Sequence, residues 1–155
     1  MENIGILKAG NRDMSETNRL IRILQSLGAV FAGILAGIIL SLGTDVALHA
    51  VGVFPPWDQP AGNLPLLLAT VYRTVYGVAG AYITARLAPS RPMRHALALG
   101  ATGFAVSIVG AAATWNAGPA FGPHWYPLAL VVLAIRTAWM GGKLRQMQLS
   151  ARADN

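Results

Sequence analysis

Four long apolar segments, separated by shorter segments rich in polar residues, glycine or proline, make up most of the sequence. A transmembrane helix needs about 20 predominantly apolar residues to cross the hydrocarbon core of a bilayer. We therefore predict an all-α, polytopic membrane protein in which residues 1–155 form a single membrane domain. The four predicted transmembrane helices, here called the first to fourth spans, cover about 23–51, 64–87, 96–115 and 125–142.

The segments between the apolar runs predict where the helices begin and end. Ser15 precedes a polar stretch and is expected to cap the start of the first helix. Pro55 and Pro56 are expected to end that helix, because proline lacks an amide donor and clashes with the preceding turn. Pro89 and Pro92 indicate the turn between the second and third spans.

The composition agrees with a lipid environment. Apolar residues make up 54% of the 155 residues and charged residues only 12%, which is about half the charged share of soluble domains. Such a chain cannot cover itself with a polar surface, so lipid is its expected solvent. Cysteine is absent, which excludes disulfide bonds and thiolate metal sites.

The basic residues outside the spans follow a one-sided pattern. The loops 44–63 and 116–124 contain no lysine or arginine. The positive-inside rule therefore predicts a multi-pass protein of the bacterial inner membrane with both termini in the cytoplasm, an N-in/C-in topology. The net charge of +6 then indicates contact with the anionic lipid of the cytoplasmic leaflet, and we expect no nucleic-acid partner. The basic residues on that side are Lys8, Arg12, Arg19, Arg22, Arg86, Arg91, Arg94, Lys143, Arg145 and Arg152.

Two arginines, Arg73 and Arg136, interrupt the second and fourth spans. An ionised side chain at mid-bilayer costs about 2.5–3.5 kcal/mol on insertion scales and indicates a functional or assembly contact. Asp45 is the only acidic residue near a span interior, and counting helical rise places it within about 4–5 Å of the depth of Arg73. The sequence therefore predicts an Asp45–Arg73 ion pair. Tyr76 and Trp139 follow the two arginines by one helical turn and are candidates for cation–π contacts.

Arg136 has no acidic residue on its own hairpin. Its charge must then be balanced by backbone carbonyls, water, a bound anion or another subunit. A homodimer or a larger membrane complex is the expected source of such a subunit.

Small residues recur every fourth position in the first two spans. Residues four apart share one ridge of a helix, and small ridges let transmembrane helices approach closely. We predict that the ridge of the first span faces the ridge of the second. The central small residues of these two ridges are Gly33, Gly37, Gly77 and Ala81.

The two halves of the chain, 23–87 and 96–145, resemble each other. The phrase Arg73-Thr74-Val75-Tyr76 of the first half corresponds to Arg136-Thr137-Ala138-Trp139 of the second. This internal repeat predicts a duplication into two hairpins that enter the membrane in the same direction, a parallel repeat. Chance matching is the alternative, because glycine, alanine and leucine are so common here.

His49 and His124 are both expected at the outer face. With Asp45 and Asp58 they could form a metal site, and the two histidines could hold a haem, but neither arrangement has a recognised ligand spacing. Interfacial histidines more often bond water or lipid headgroups. We therefore expect no metal, no cofactor and no catalytic residues.

Two phrases resemble those of known proteins: Thr84-Ala85-Arg86-Leu87-Ala88-Pro89 and Gly122-Pro123-His124-Trp125-Tyr126-Pro127. Both are similar to segments of short uncharacterised bacterial four-helix integral membrane proteins. The resemblance covers most of the chain after Thr70. It implies a fold and a location, and no activity.

Three functional hypotheses remain open. The favoured one is a non-catalytic accessory or assembly component of the membrane, which meets another protein through its arginines and small-residue faces. The second is a small oligomeric anion or solute transporter or pore, in which Arg73 and Arg136 line a central path. The third is a lipid-modifying enzyme that uses His49, Asp45 or His124 near the outer headgroups.

Overall fold

The computed structural model describes the backbone of residues 2–118 and 122–154 and, within these ranges, the side chains from residue 14 onward. The part of the predicted outer loop at 119–121 and the side chains of Lys8 and Arg12 lie outside the described residues. The described chain is all helical, as predicted, and its four helices are each long and apolar enough to cross a membrane. They are α1 (Glu2–Ala50), α2 (Asn63–Leu87), α3 (Pro92–Thr114) and α4 (Trp125–Ala153).

Two helices extend well beyond the predicted spans. α1 begins at Glu2 and runs through Ser15, so the predicted N-cap at Ser15 is wrong. The first proline of the chain is Pro55, and nothing before it prevents a helix from continuing through the polar N-terminal segment. α4 continues past Gly142 to Ala153 for the same reason, since no proline follows Pro127.

The turns between helices use residues with a left-handed backbone. Gly52 has φ +75° just after α1, and the amides of Val53 and Phe54 both donate to the carbonyl of Leu48, at 3.0 and 3.1 Å. Arg91 has φ 48° and immediately precedes Pro92, the first residue of α3. Proline is favoured there because its fixed φ suits a helix start and no amide donor is needed.

α2 lies at the centre of the packing. It contacts α1 on one side and α4 on the other, while α3 packs most extensively on α4. α1 packs mainly on α2 and contacts α3 only slightly. α1 is therefore attached to the bundle along one side.

Small residues bring α2 close to both neighbours, but not along the predicted ridge. On α1, Gly33 faces Gly80 and Thr84 of α2. Gly77 and Ala81, which were predicted to face α1, contact α4 instead. Their neighbours there are Thr137 and Gly141. The prediction failed because α2 has small residues on two adjacent ridges, and the sequence does not say which ridge faces which neighbour.

Gly37 also differs from its predicted role. A Cβ added to Gly37 would have nothing within 4 Å, whereas a Cβ at Gly33 would lie 2.5 Å from the carbonyl oxygen of Gly80. α1 is thus tightly packed on α2 at Gly33 and open one turn later at Gly37.

Candidate functional site

The structure brings Asp45 of α1 and Arg73 of α2 together. Nη2 of Arg73 donates to Oδ2 of Asp45 at 2.7 Å. The other carboxylate oxygen, Oδ1, accepts a hydrogen bond from the hydroxyl of Tyr72. Asp45 is only 6% exposed, so the carboxylate is buried and both of its oxygens are bonded.

The antiparallel hairpin explains why these two residues meet. Asp45 lies five residues before the end of α1, and Arg73 lies ten residues after the start of α2. At about 1.5 Å per residue, Arg73 is deeper by about 7 Å. Helical side chains lean toward the N-terminus of their helix, so the arginine extends toward the loop and closes this gap.

Aromatic rings surround the ion pair on the loop side. The guanidinium carbon of Arg73 lies 6.0 Å from the ring centre of Tyr72 and 5.9 Å from that of Tyr126. Phe54 of the α1–α2 loop is buried against Tyr72 in the same cluster. These rings cover the ion pair on the side of the α1–α2 loop, which lowers the local dielectric constant and strengthens the electrostatic attraction.

The predicted contact between Arg73 and Tyr76 is wrong. Tyr76 lies on the C-terminal side of Arg73, whereas the arginine leans the other way. The Tyr76 hydroxyl instead shares a hydrogen bond of 2.9 Å with Oγ1 of Thr44. Sequence reasoning missed Tyr126, although its position at the start of α4 matches the depth at which the Arg73 side chain ends.

A cleft lies between α1 and the α3–α4 pair, with residues of all four helices in its wall. Its volume is about 490 Å³. The wall is mainly apolar, and Asp45, Arg73 and Tyr76 contribute polar groups to it. Ile38 and Val106, both exposed, are part of the cleft wall, so the cleft opens at the surface of the helix bundle.

Two serines in the cleft wall have unpaired hydroxyl groups. Ser41 lies on α1 and Ser107 on α3, and neither hydroxyl has a hydrogen-bond partner among the residues that the structure describes. Other hydroxyls in the helices bond a carbonyl one turn earlier, as Thr74 does to Thr70 at 2.6 Å. The cleft therefore contains hydrogen-bonding capacity that the described protein does not use.

Arg136 is not part of this cleft wall. It is exposed on α4 beside the exposed side chains of Val132, Ile135 and Trp139. We call these four residues the Arg136 face. Within the described ranges, Arg136 makes no hydrogen bond, ion pair or ring contact, so the predicted cation–π contact with Trp139 is wrong. Both side chains are exposed, Trp139 at 53%.

His49 and His124 occupy separate aromatic clusters at the loop ends of the helices. The ring of His49 stacks on Trp57 at 3.6 Å, and its Nδ1 donates to the carbonyl of Asp45 at 2.7 Å. The ring of His124 stacks on Trp115 at 4.3 Å, and its Nε2 donates to the Trp115 carbonyl at 2.8 Å. The described side chains contain no group of three residues able to hold a metal ion.

Comparison of the chain with protein families, with curated proteins and with solved structures gave no match. The resemblance to short bacterial four-helix membrane proteins therefore stays a prediction.

We predict that Asp45→Asn lowers the amount of folded protein. Breaking a buried ion pair costs about 3–5 kcal/mol, because the remaining charge is left without a partner. Arg73 is one-third exposed at 33%, so the lower end of that range is expected. Adding Arg73→Leu to Asp45→Asn should restore part of the loss, since no uncompensated charge then remains.

The measurement is the monodisperse fraction and melting temperature of the detergent-extracted protein. Asp58→Asn, in the exposed α1–α2 loop, is the matched control and should behave as wild type. Wild-type behaviour of both Asp45→Asn and Arg73→Leu would rule out a stabilising ion pair.

Proposed function

We propose that this protein is a non-catalytic accessory or assembly component of the bacterial inner membrane, which binds another integral membrane protein through the Arg136 face. One observation carries the proposal: an arginine in the middle of the fourth span is exposed and has no partner among the described residues. Leaving that charge in hydrocarbon costs about 2.5–3.5 kcal/mol. A protein that covers the Arg136 face and neutralises the guanidinium would recover this energy on binding.

The arginine cannot easily reach water by itself. Its side chain leans toward the N-terminal end of α4. That end, at Trp125, is eleven residues away, or about 16 Å along the helix axis, which exceeds the reach of an arginine. The other end of the predicted span, near Lys143, is seven residues away, but the side chain would have to bend against its preferred direction to reach it.

We infer that the partner carries a carboxylate within its own membrane span, because an opposite charge neutralises the guanidinium most directly. A second copy of this chain does not offer one, because Asp45 is buried and already bonds Tyr72 and Arg73. The remaining acidic residues of the chain lie outside the predicted spans. We therefore infer that a transmembrane helix of a different protein, with an Asp or Glu at the depth of Arg136, covers the Arg136 face.

The proposal includes the orientation of the helices in the membrane and the relation between the two halves of the chain. We infer that both termini lie in the cytoplasm, with support from the one-sided distribution of lysine and arginine. We also infer that the halves 23–87 and 96–145 arose by duplication as parallel hairpins. If so, the two corresponding arginines have diverged, one turned inward to Asp45 and the other outward to lipid.

The other two hypotheses have less support. Arg73 lines the cleft and Arg136 does not, so an anion path containing both arginines would have to form between copies. For a lipid-modifying enzyme, His49 and His124 each use one ring nitrogen on a backbone carbonyl and stack on separate tryptophans. No observation places a substrate against them.

Photo-crosslinking from the Arg136 face tests the proposed partner. We expect benzoylphenylalanine at Val132 to form a covalent product with one other membrane protein in native membranes. The same probe at Val109, which is 68% exposed on α3, is the control and should give only lipid or background products. The captured protein must have an Asp or Glu in the cross-linked span.

Charge reversal then decides whether Arg136 is the contact. Arg136→Glu should reduce the Val132 cross-link at least tenfold, and changing the partner's acidic residue to arginine should restore it. A cross-link only to a second copy of this chain, only to lipid, or one that is insensitive to Arg136→Glu would contradict the proposal.

Labelling of introduced cysteines tests the proposed orientation, and the chain has no native cysteine to interfere. Trp57→Cys and Trp125→Cys should react with a membrane-impermeant maleimide in intact spheroplasts. Ser90→Cys, in the turn between α2 and α3, should react only after the membrane is opened. Labelling of Ser90→Cys in intact spheroplasts would overturn the N-in/C-in topology.

A further inference from the structure

We propose that the cleft between α1 and the α3–α4 pair binds a long-chain amphiphile with a small carbonyl-bearing head, whose tail lies along the apolar wall and whose head accepts hydrogen bonds from Ser41, Ser107 and Arg73. This inference is independent of the Arg136 face, whose four residues are not part of the cleft wall.

The size and opening of the cleft suit a ligand that arrives from the bilayer. A volume of about 490 Å³ falls within the range of about 300–1,000 Å³ that is typical of small-molecule pockets. The wall includes Ile38 and Leu42 of α1 and Val106 of α3, all of which are exposed on the lipid-facing surface. A membrane-dissolved molecule can therefore enter sideways between α1 and α3.

Two glycines of the cleft wall, Gly37 and Gly103, leave space and do not bring helices together. Gly37 lies one turn after Gly33, yet a Cβ there would have nothing within 4 Å. On the opposite wall, a Cβ at Gly103 would have a single neighbour, the Cβ of Ala134, at 4.0 Å. Two glycines facing open space across a gap leave room for a chain of methylene width, in contrast to the direct helix contact at Gly33.

The cleft contains hydrogen-bond donors that have no acceptor in its mainly apolar wall. The hydroxyls of Ser41 and Ser107 have no partner among the described residues and stand on opposite walls. Arg73, also in the wall, has a buried Nε–H without an acceptor. Unused donors in an apolar environment are costly unless an acceptor is supplied. A ligand with an acceptor group would supply it.

The depth of these donors in the membrane span restricts the ligand to one with a small head group. Ser41 lies one helical turn further inside than Asp45, or about 13 Å from the end of α1. A phospholipid headgroup stays at the interface and does not reach this depth. Since Asp45 already neutralises Arg73, the site does not demand an anion. A carbonyl group is a compact, uncharged acceptor that fits both conditions.

Two kinds of membrane molecule share this chemistry: an isoprenoid-type quinone and a fatty acid with its carboxyl group protonated. The probes are decylubiquinone and palmitic acid, each added to the purified full-length protein in phosphatidylcholine nanodiscs. Hexadecane is the third probe and tests whether the head is required. The readouts are one-to-one adducts in native mass spectrometry and the rise in melting temperature that a bound ligand produces.

We expect the wild-type protein to bind decylubiquinone or palmitic acid one-to-one, and the probe that binds identifies the source of the head. Gly37→Leu should abolish binding, because it adds a large side chain to the cleft wall at a position where a Cβ meets no atom within 4 Å. Gly43→Leu is the matched control, since it places the same side chain on the same helix in open space outside the cleft wall, and it should bind as wild type. Ser41→Ala should weaken binding about 2–12-fold, the value of one hydrogen bond.

Gly103→Leu fills the cleft from the α3 wall and replaces Gly37→Leu if that variant does not fold. Arg136→Leu should bind the probe normally, which separates this site from the Arg136 face. The proposal is overturned if neither carbonyl probe binds the wild-type protein. It is also overturned if the cleft-filling variants bind as well as Gly43→Leu, or if hexadecane binds as tightly as the carbonyl probes.

Discussion

A charged arginine inside a hydrocarbon layer must be neutralised, and the predicted spans contain one carboxylate, Asp45, for two such arginines. Asp45 forms an ion pair with Arg73 at 2.7 Å and accepts a second hydrogen bond from Tyr72. These two interactions hold the loop ends of α1 and α2 together. The ion pair also leaves Arg136 without a counter-charge among the described residues, which is why we propose that a partner neutralises it.

Small residues act in two opposite ways in this bundle. At Gly33 and Gly80 the absence of side chains lets the backbones of α1 and α2 approach closely, a Cβ on Gly80 falling 2.7 Å from the Gly33 carbonyl oxygen. At Gly37 the same absence leaves an opening, because α1 contacts α3 only slightly. The cleft exists because α1 is secured along α2 and by its ion pair, and not by packing around its whole circumference.

The sequence contained enough information for the helices and for one contact. Long apolar runs are a direct consequence of bilayer thickness, and with a single acid near the spans, depth alone paired Asp45 with Arg73. Depth along the helix does not predict which residues contact Gly77 and Tyr126. These contacts depend on how each helix is rotated about its axis, and α2 has small residues on two faces that suit either rotation. The polar N-terminal segment suggests a helix boundary, yet it contains no proline, and α1 continues through it to Glu2.

The central claim, that one arginine is neutralised within the chain and the other is not, is tested most directly by solid-state NMR on the purified protein in lipid bilayers. Distances are measured between ¹³C-labelled Asp carboxyl carbons and ¹⁵N-labelled Arg guanidinium nitrogens, with Arg136→Leu and Arg73→Leu samples for assignment. The 2.7 Å Nη2–Oδ2 contact predicts strong dephasing of an Asp carboxyl signal by arginine nitrogen. This dephasing should remain in Arg136→Leu and disappear in Arg73→Leu. The account is contradicted if the dephasing disappears in Arg136→Leu or is absent from the wild-type protein.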